Sequence, residues 1–142
     1  MKAIPVTCAI IIHQEKVLVA KRSESMNLAG YWEFPGGKIE EGEQPEDCLI
    51  REIKEELRIE IKIQSPLTPS KFDYSQGKII DLIPFICTWQ SGEINLLEHE
   101  MIEWLEVADL PKLKWAPADI PIWMELSEKW QAFRSISSQK EF

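Results

Sequence analysis

The chain's 142 residues are enough to bury one core and too few for two domains of ordinary size. An apolar share of 44% with 28% charged residues excludes a disordered chain, and no apolar run reaches the roughly 20 residues a membrane span needs. The net charge of −8 disfavours polymeric nucleic acid and anionic membranes as partners, although a small polyanion can bind where metal ions supply the compensating charge.

Lys2 leads into a strand pattern without a cleavage-like site, so no signal peptide is expected. Cys8, Cys48 and Cys87 are odd in number and widely spaced; they read as small buried apolar residues in a reducing compartment, and the expected location is the cytoplasm. Val6 to Ile12, VTCAIII, is nearly continuous apolar and β-branched, which predicts a central strand covered on both faces. A turn at residues 13–15 leads to a second strand over 16–22, KVLVAKR, the other half of a hairpin. His13 is expected to belong to that turn, since no second histidine or cysteine stands at a ligand-like spacing from it. Residues 23–30 read as loop, and Tyr31 to Phe34 as a short strand delivering Pro35, Gly36 and Gly37.

From Gly36 to Ile59 a glycine turn, a helix start and a dense set of carboxylates follow one another. Pro45 suits a first helical turn, where Glu46 and Asp47 meet the positive helix end. Leu49, Ile50, Ile53 and Leu57 form one apolar stripe, while Glu52, Glu55 and Glu56 project from neighbouring positions on another side. Like charges so placed repel by about 0.2–0.5 kcal/mol per pair. A hard divalent cation reverses that sign, and Mg²⁺ is bound through a few carboxylates together with substrate phosphates. The alternative is a solvated face with Arg51 and Lys54 as intrahelical partners. Spacing alone leaves both open.

Ile59 to Ile63 alternates as a half-exposed strand, broken over 65–70 by Pro66 and Pro69. Lys71 to Tyr74 and Ile79 to Trp89 read as a hairpin around Gln76-Gly77, with Pro84 requiring a bulge or an edge position. A turn at Ser91-Gly92, a loop over 96–100, a strand from Met101 to Val107 and a turn at Leu110-Pro111 follow. A helix is expected from Asp119 to about 134, with Trp123, Leu126, Trp130 and Phe133 on one face and a frayed tail from Ser135. This element order predicts an α/β or α+β domain over residues 1–142 with a single sheet.

The run from Gly37 to Ile59 resembles the Nudix box, G-x5-E-x7-R-E-U-x-E-E-x-G-U with U aliphatic: Gly37, Glu43, Arg51, Glu52, Ile53, Glu55, Glu56 and Ile59 stand where the pattern asks. Arg58 departs from it, replacing a glycine that would take a left-handed helix cap. The resemblance implies an α/β/α sandwich with a mixed sheet and a nucleotide pyrophosphohydrolase using Mg²⁺, with Mn²⁺ as substitute. It further implies metal ligands at Glu52, Glu55, Glu56 and the Gly37 carbonyl, a general base at Glu55 or Glu98 with Glu98 near the metal, and a structural Glu43–Arg51 salt bridge. The expected reaction takes a nucleoside triphosphate and water to a monophosphate and diphosphate, with a monomer or homodimer acting in upkeep of the nucleotide pool.

WEFPGGK at Trp32 to Lys38, APADIPI at Ala116 to Ile122, and Glu98, His99 and Trp104 resemble MutT-type and cytidine-type triphosphate pyrophosphohydrolase members of that family. Asp119 has two readings, an acceptor for an exocyclic amine of a base or the N-cap of the last helix. Trp32, Phe72 and Tyr74 are candidate aromatic walls for the base, against plain packing for each. Arg22 and Lys38 are candidate phosphate contacts, and Glu33 is a candidate site group. The open choices are cytidine-type or modified nucleotides, 8-oxo-dGTP, a nucleotide sugar or dinucleotide, and a non-catalytic binding module.

Overall fold

In the computed structural model, which describes residues 3–75, 77–96 and 99–136, β1 (Ala3–His13) and β2 (Lys16–Lys21) form the central hairpin. Gln14 and Glu15 join them at φ 50° and 60°, the left-handed pair that a two-residue hairpin loop requires. His13 is therefore the last residue of β1 rather than part of the turn, 8% exposed, with its ring 5.4 Å from that of Trp89 and 5.7 Å from that of Trp104. Burial lowers its pKa.

Six further strands, β3 (Trp32–Glu33), β4 (Gly36–Lys38), β5 (Glu60–Pro66), β6 (Ser70–Asp73), β7 (Ile79–Ser91) and β8 (Met101–Leu105), complete one sheet ordered β3-β2-β1-β7-β5. β4 adds to β1, β6 to β7 and β8 to β2. Only the β1–β7 pairing is parallel among these, so the sheet is mixed.

Alternation along β1 sends side chains to two cores. Cys8, Ile10 and Ile12 meet Ile122 and Leu126 on one face, and Ala9 and Ile11 meet Leu49, Ile53 and Leu57 on the other. Helix α1 (Pro45–Leu57) covers the second face, and α2 (Ile120–Glu128) with α3 (Trp130–Phe133) lies against the first. The α/β/α arrangement follows directly. Cys8, Cys48 and Cys87 are buried free thiols within it.

Three further local expectations, on Gly36 and Gly37, on Pro84 and on the last helix, need correction. The glycines at 36 and 37 form no turn: they lie in β4, and neither has a positive φ. Close approach is what demands them, because a Cβ at Gly36 would stand 2.0 Å from the Thr7 carbonyl oxygen. Pro84 sits in a strand paired on both sides, opposite Cys8 of β1. Its carbonyl accepts the Leu67 N–H at 3.0 Å, where the chain leaves β5 for β6, so its missing donor falls at the gap between those two strands. The expected last helix is divided at Lys129, φ −101° and ψ 12°, and only Leu126 of its four apolar residues is fully buried; Trp123, Trp130 and Phe133 pack at the core margin. Arg58 takes the left-handed cap itself, φ 63° and ψ 27°, with its N–H bonded to the Lys54 carbonyl.

Candidate active site

Helix α1 lays Glu52 against β4 so closely that a Cβ at Gly37 would stand 2.1 Å from the Glu52 carboxyl carbon. Arg51 organises the surrounding charges. Its Nε and Nη2 donate to the two oxygens of Glu43 at 2.8 and 2.9 Å, and its Nη1 reaches Glu52 at 3.0 Å and Glu55 at 3.3 Å. Glu40 lies 3.7 Å from Nη2. The guanidinium and the Glu40 main-chain N–H hold the Glu43 carboxyl down at about 2, so Glu43 is anionic at every ordinary pH. Glu56 is only 5% exposed, beneath this surface, whereas the Glu55 side chain is 58% exposed.

Four carboxylates therefore share one guanidinium, and Glu56 lies on the same helix as two of them, Glu52 and Glu55. This surplus of hard oxygen donors, with the Gly37 carbonyl on the strand that Glu52 touches, fits a divalent cation. Among the described residues no three His, Cys, Asp or Glu side chains converge at ligand distances. Arg51 Nη1 bonds both Glu52 and Glu55, holding two of the expected ligands to itself. Glu98 lies outside the described residues.

A cavity of about 360 Å³ opens on the α2 face, lined by Arg22, Asn27, Leu28, Glu33, Tyr74, Lys78, Ala118 and Asp119 over apolar Val6, Ile80 and Leu82. Arg22 Nη1 donates to Glu33 Oε1 at 2.7 Å, and its Nε holds the Asn27 carbonyl. His99 Nε2 meets Glu33 Oε2 at 2.7 Å. The Tyr74 hydroxyl accepts the Ala118 N–H at 3.0 Å. Asp119, 4% exposed, accepts the Phe34 N–H at 2.9 Å. Burial, then the neighbouring Glu33 charge, raises the Asp119 pKa well above the usual carboxylate range. A carboxyl that keeps its proton offers an O–H donor beside its acceptor, which widens the acceptor-only expectation.

The strand segment bearing Glu33 and Phe34 runs straight into Gly36 and Gly37, so cavity and carboxylate helix share one piece of chain. The NUDIX domain family matches residues 2–126. The chain belongs to the Nudix family. It is 36% identical over 122 residues to the CTP pyrophosphohydrolase of Escherichia coli strain K12, covering 86% of this chain and 90% of that one. Against the 8-oxo-dGTP diphosphatase of the same organism identity is 28% over 123 residues, 86% of this chain and 95% of that one. The solution NMR structure described as DNA mismatch repair protein MutT, family Nudix hydrolase, from methicillin-resistant Staphylococcus aureus 252 is 41% identical, with a TM-score of 0.74 over 90% of this chain and 98% of that one. A divalent metal ion is general to Nudix hydrolases.

Of the residues expected to bind substrate, Arg22, Glu33, Tyr74 and Asp119 line the Nudix chain's cavity together. Three others stand apart from that lining. Trp32 is half-buried against the core, with its N–H on the Lys114 carbonyl; Lys38 is exposed at the end of β4; Phe72 is 40% exposed, edge-on to Tyr74 at 4.7 Å. Reasoning from sequence missed Asn27, Leu28, Lys78 and Ala118 in the lining, and His99 behind Glu33. For His99 a signal existed in its place beside Glu98 in a recognisable motif. Leu28 reaches the cavity through a left-handed backbone at φ 55°, which its residue type does not announce.

Proposed function

We propose that this Nudix chain hydrolyses nucleoside triphosphates to a monophosphate and diphosphate with Mg²⁺, and that it acts on cytidine-type or modified nucleotides. The observation that carries this reading is the cavity that Glu33 and Asp119 line together, with Glu33 on the chain segment that leads into the carboxylate helix. The cavity offers acceptors in Glu33 and Asp119 and cations in Arg22 and Lys78. A cytosine edge presents a 4-amino donor beside acceptors, and two carboxyl groups in one wall suit it. The identity to the CTP pyrophosphohydrolase supports the same choice, and the MutT-type relatives support 8-oxo-dGTP as the second reading.

Glu52, Glu55 and Glu56, with the Gly37 carbonyl and Glu98, would hold the cation. Bound there, it supplies neutralisation of phosphate charge and activation of water for an in-line displacement. Arg51 keeps Glu52 and Glu55 extended toward the same side, and Glu43 fixes Arg51 against the turn that precedes α1. Glu55, more exposed than Glu52 and Glu56, takes a proton from the attacking water in this reading, with Glu98 as the other candidate base.

Steady-state rates with Mg²⁺ against CTP, dCTP, 5-substituted dCTP, 8-oxo-dGTP, UTP and a nucleotide sugar test this. The expected result is diphosphate release from a cytosine triphosphate at the highest kcat/KM, abolished by EDTA. Orthophosphate as the only phosphorus product, or turnover of the nucleotide sugar alone, would overturn it.

A further inference from the structure

Glu33 is gripped at both oxygens, by Arg22 Nη1 at 2.7 Å on Oε1 and by His99 Nε2 at 2.7 Å on Oε2. The His99 side chain is 1% exposed, and its Nδ1 is buried with no hydrogen-bond partner among the described residues. Its one polar contact there is Glu33. A ring nitrogen bonded to a carboxylate must carry the hydrogen, so Glu33 selects the Nε2–H tautomer. Filling space alone would call for an apolar side chain, with no ring nitrogen left unsatisfied.

The backbone delivers His99 independently of that bond. The Glu100 N–H donates to the Lys21 carbonyl at 2.9 Å, Glu100 pairs with the Lys21 ammonium at 2.9 Å, and Met101 opens the β8 ladder opposite Lys21. A change at His99 therefore leaves its segment docked.

We propose that His99 is a positioning residue for base recognition, its Nε2–H setting the Glu33 carboxylate in the cavity wall opposite the hold of Arg22. An ionised carboxylate has about four lone-pair sites. With two engaged by Arg22 and His99, acceptor capacity remains for an exocyclic amine. Without His99, Oε2 is released, the carboxylate turns about its terminal torsion, and the amine loses a fixed acceptor. The inference rests on the reading of the cavity as the base site.

The test compares wild type, His99→Leu, His99→Gln and Glu33→Gln. Two readouts are used: kcat/KM for CTP against UTP with Mg²⁺, and binding of CMP against UMP by tryptophan fluorescence. The expected result is that His99→Leu lowers the cytosine-over-uracil ratio at least about tenfold in both, mainly through KM for CTP. His99→Gln, which keeps an N–H donor, recovers much of that ratio, and adding His99→Leu to Glu33→Gln lowers it no further. Equal loss of kcat for both triphosphates, a lowered melting temperature with an unchanged ratio, or no cytosine preference in the wild type would overturn the inference. If the wild type hydrolyses neither triphosphate, the cytidine-type part of the proposed function falls by itself, and the CMP-to-UMP binding ratio still decides the role of His99.

Discussion

The Asp119 carboxylate reaches across 85 residues of chain to accept the Phe34 N–H, and no side-chain hydrogen bond caps α2, the helix it precedes. Of its two expected roles, the cap is thus replaced by a tertiary contact on the wall of the cavity. Asp119→Ala strands the buried Phe34 N–H and should cost about 1–3 kcal/mol in denaturant unfolding, whereas Asp119→Asn keeps an acceptor and should cost less.

The same carboxyl predicts a pH dependence with a definite sign. Its folded pKa is raised above the ordinary 3.8, so the protonated form is favoured by folding; the stabilisation is full below the unfolded value and is lost as pH rises through the folded one. Asp119→Asn removes this dependence. Melting curves should show the variant gaining on wild type as pH rises above 3.8, and a difference between the two that stays constant with pH would refute the assignment.

Glu43 predicts the opposite trend. Its pKa is held down to about 2 by Arg51, so the pair stabilises the fold above the ordinary 4.5, and that contribution fades as pH falls from 4.5 toward 2. Glu43→Gln should lower the melting temperature at pH 7, flatten the acid limb of the stability profile, and reduce turnover only secondarily. A large fall in kcat at unchanged stability would mean that its role is catalytic.

Glu56→Gln tests the metal. Because Glu56 is buried among like charges on α1, neutralising it should leave the metal-free fold intact or slightly more stable while most activity is lost. Mg²⁺ at about 100 times its dissociation constant should stabilise wild type by about 2.7 kcal/mol and the variant by much less. Equal stabilisation of both by Mg²⁺ would remove Glu56 from the ligand set.

Arg58→Gly should stabilise. A non-glycine residue at φ 63° carries about 1 kcal/mol of steric cost, and glycine at this exposed cap relieves it. The expected gain is a rise of about 3 °C in melting temperature, the scale of 1 kcal/mol in a domain of this size. No change would show that the Arg58 charge at the helix end compensates the strain.

What the sequence by itself determined was local and periodic. Spacings of three and four placed Leu49, Ile53 and Leu57 in a core and Glu52, Glu55 and Glu56 on neighbouring faces of α1, and the box pattern paired Glu43 with Arg51. These relations lie within a few helical turns, so residue order carries them directly. Tertiary structure alone decided that Gly36 packs on Thr7, that His99 takes hold of Glu33 66 residues away, and that Asp119 abandons its helix for Phe34. The physical reason is that a buried polar group takes whatever partner the packed sheet brings to it. Which strand edge lies beside which helix start is set by the pairing of β1 with β4 and β7, and no periodicity within a single element records that.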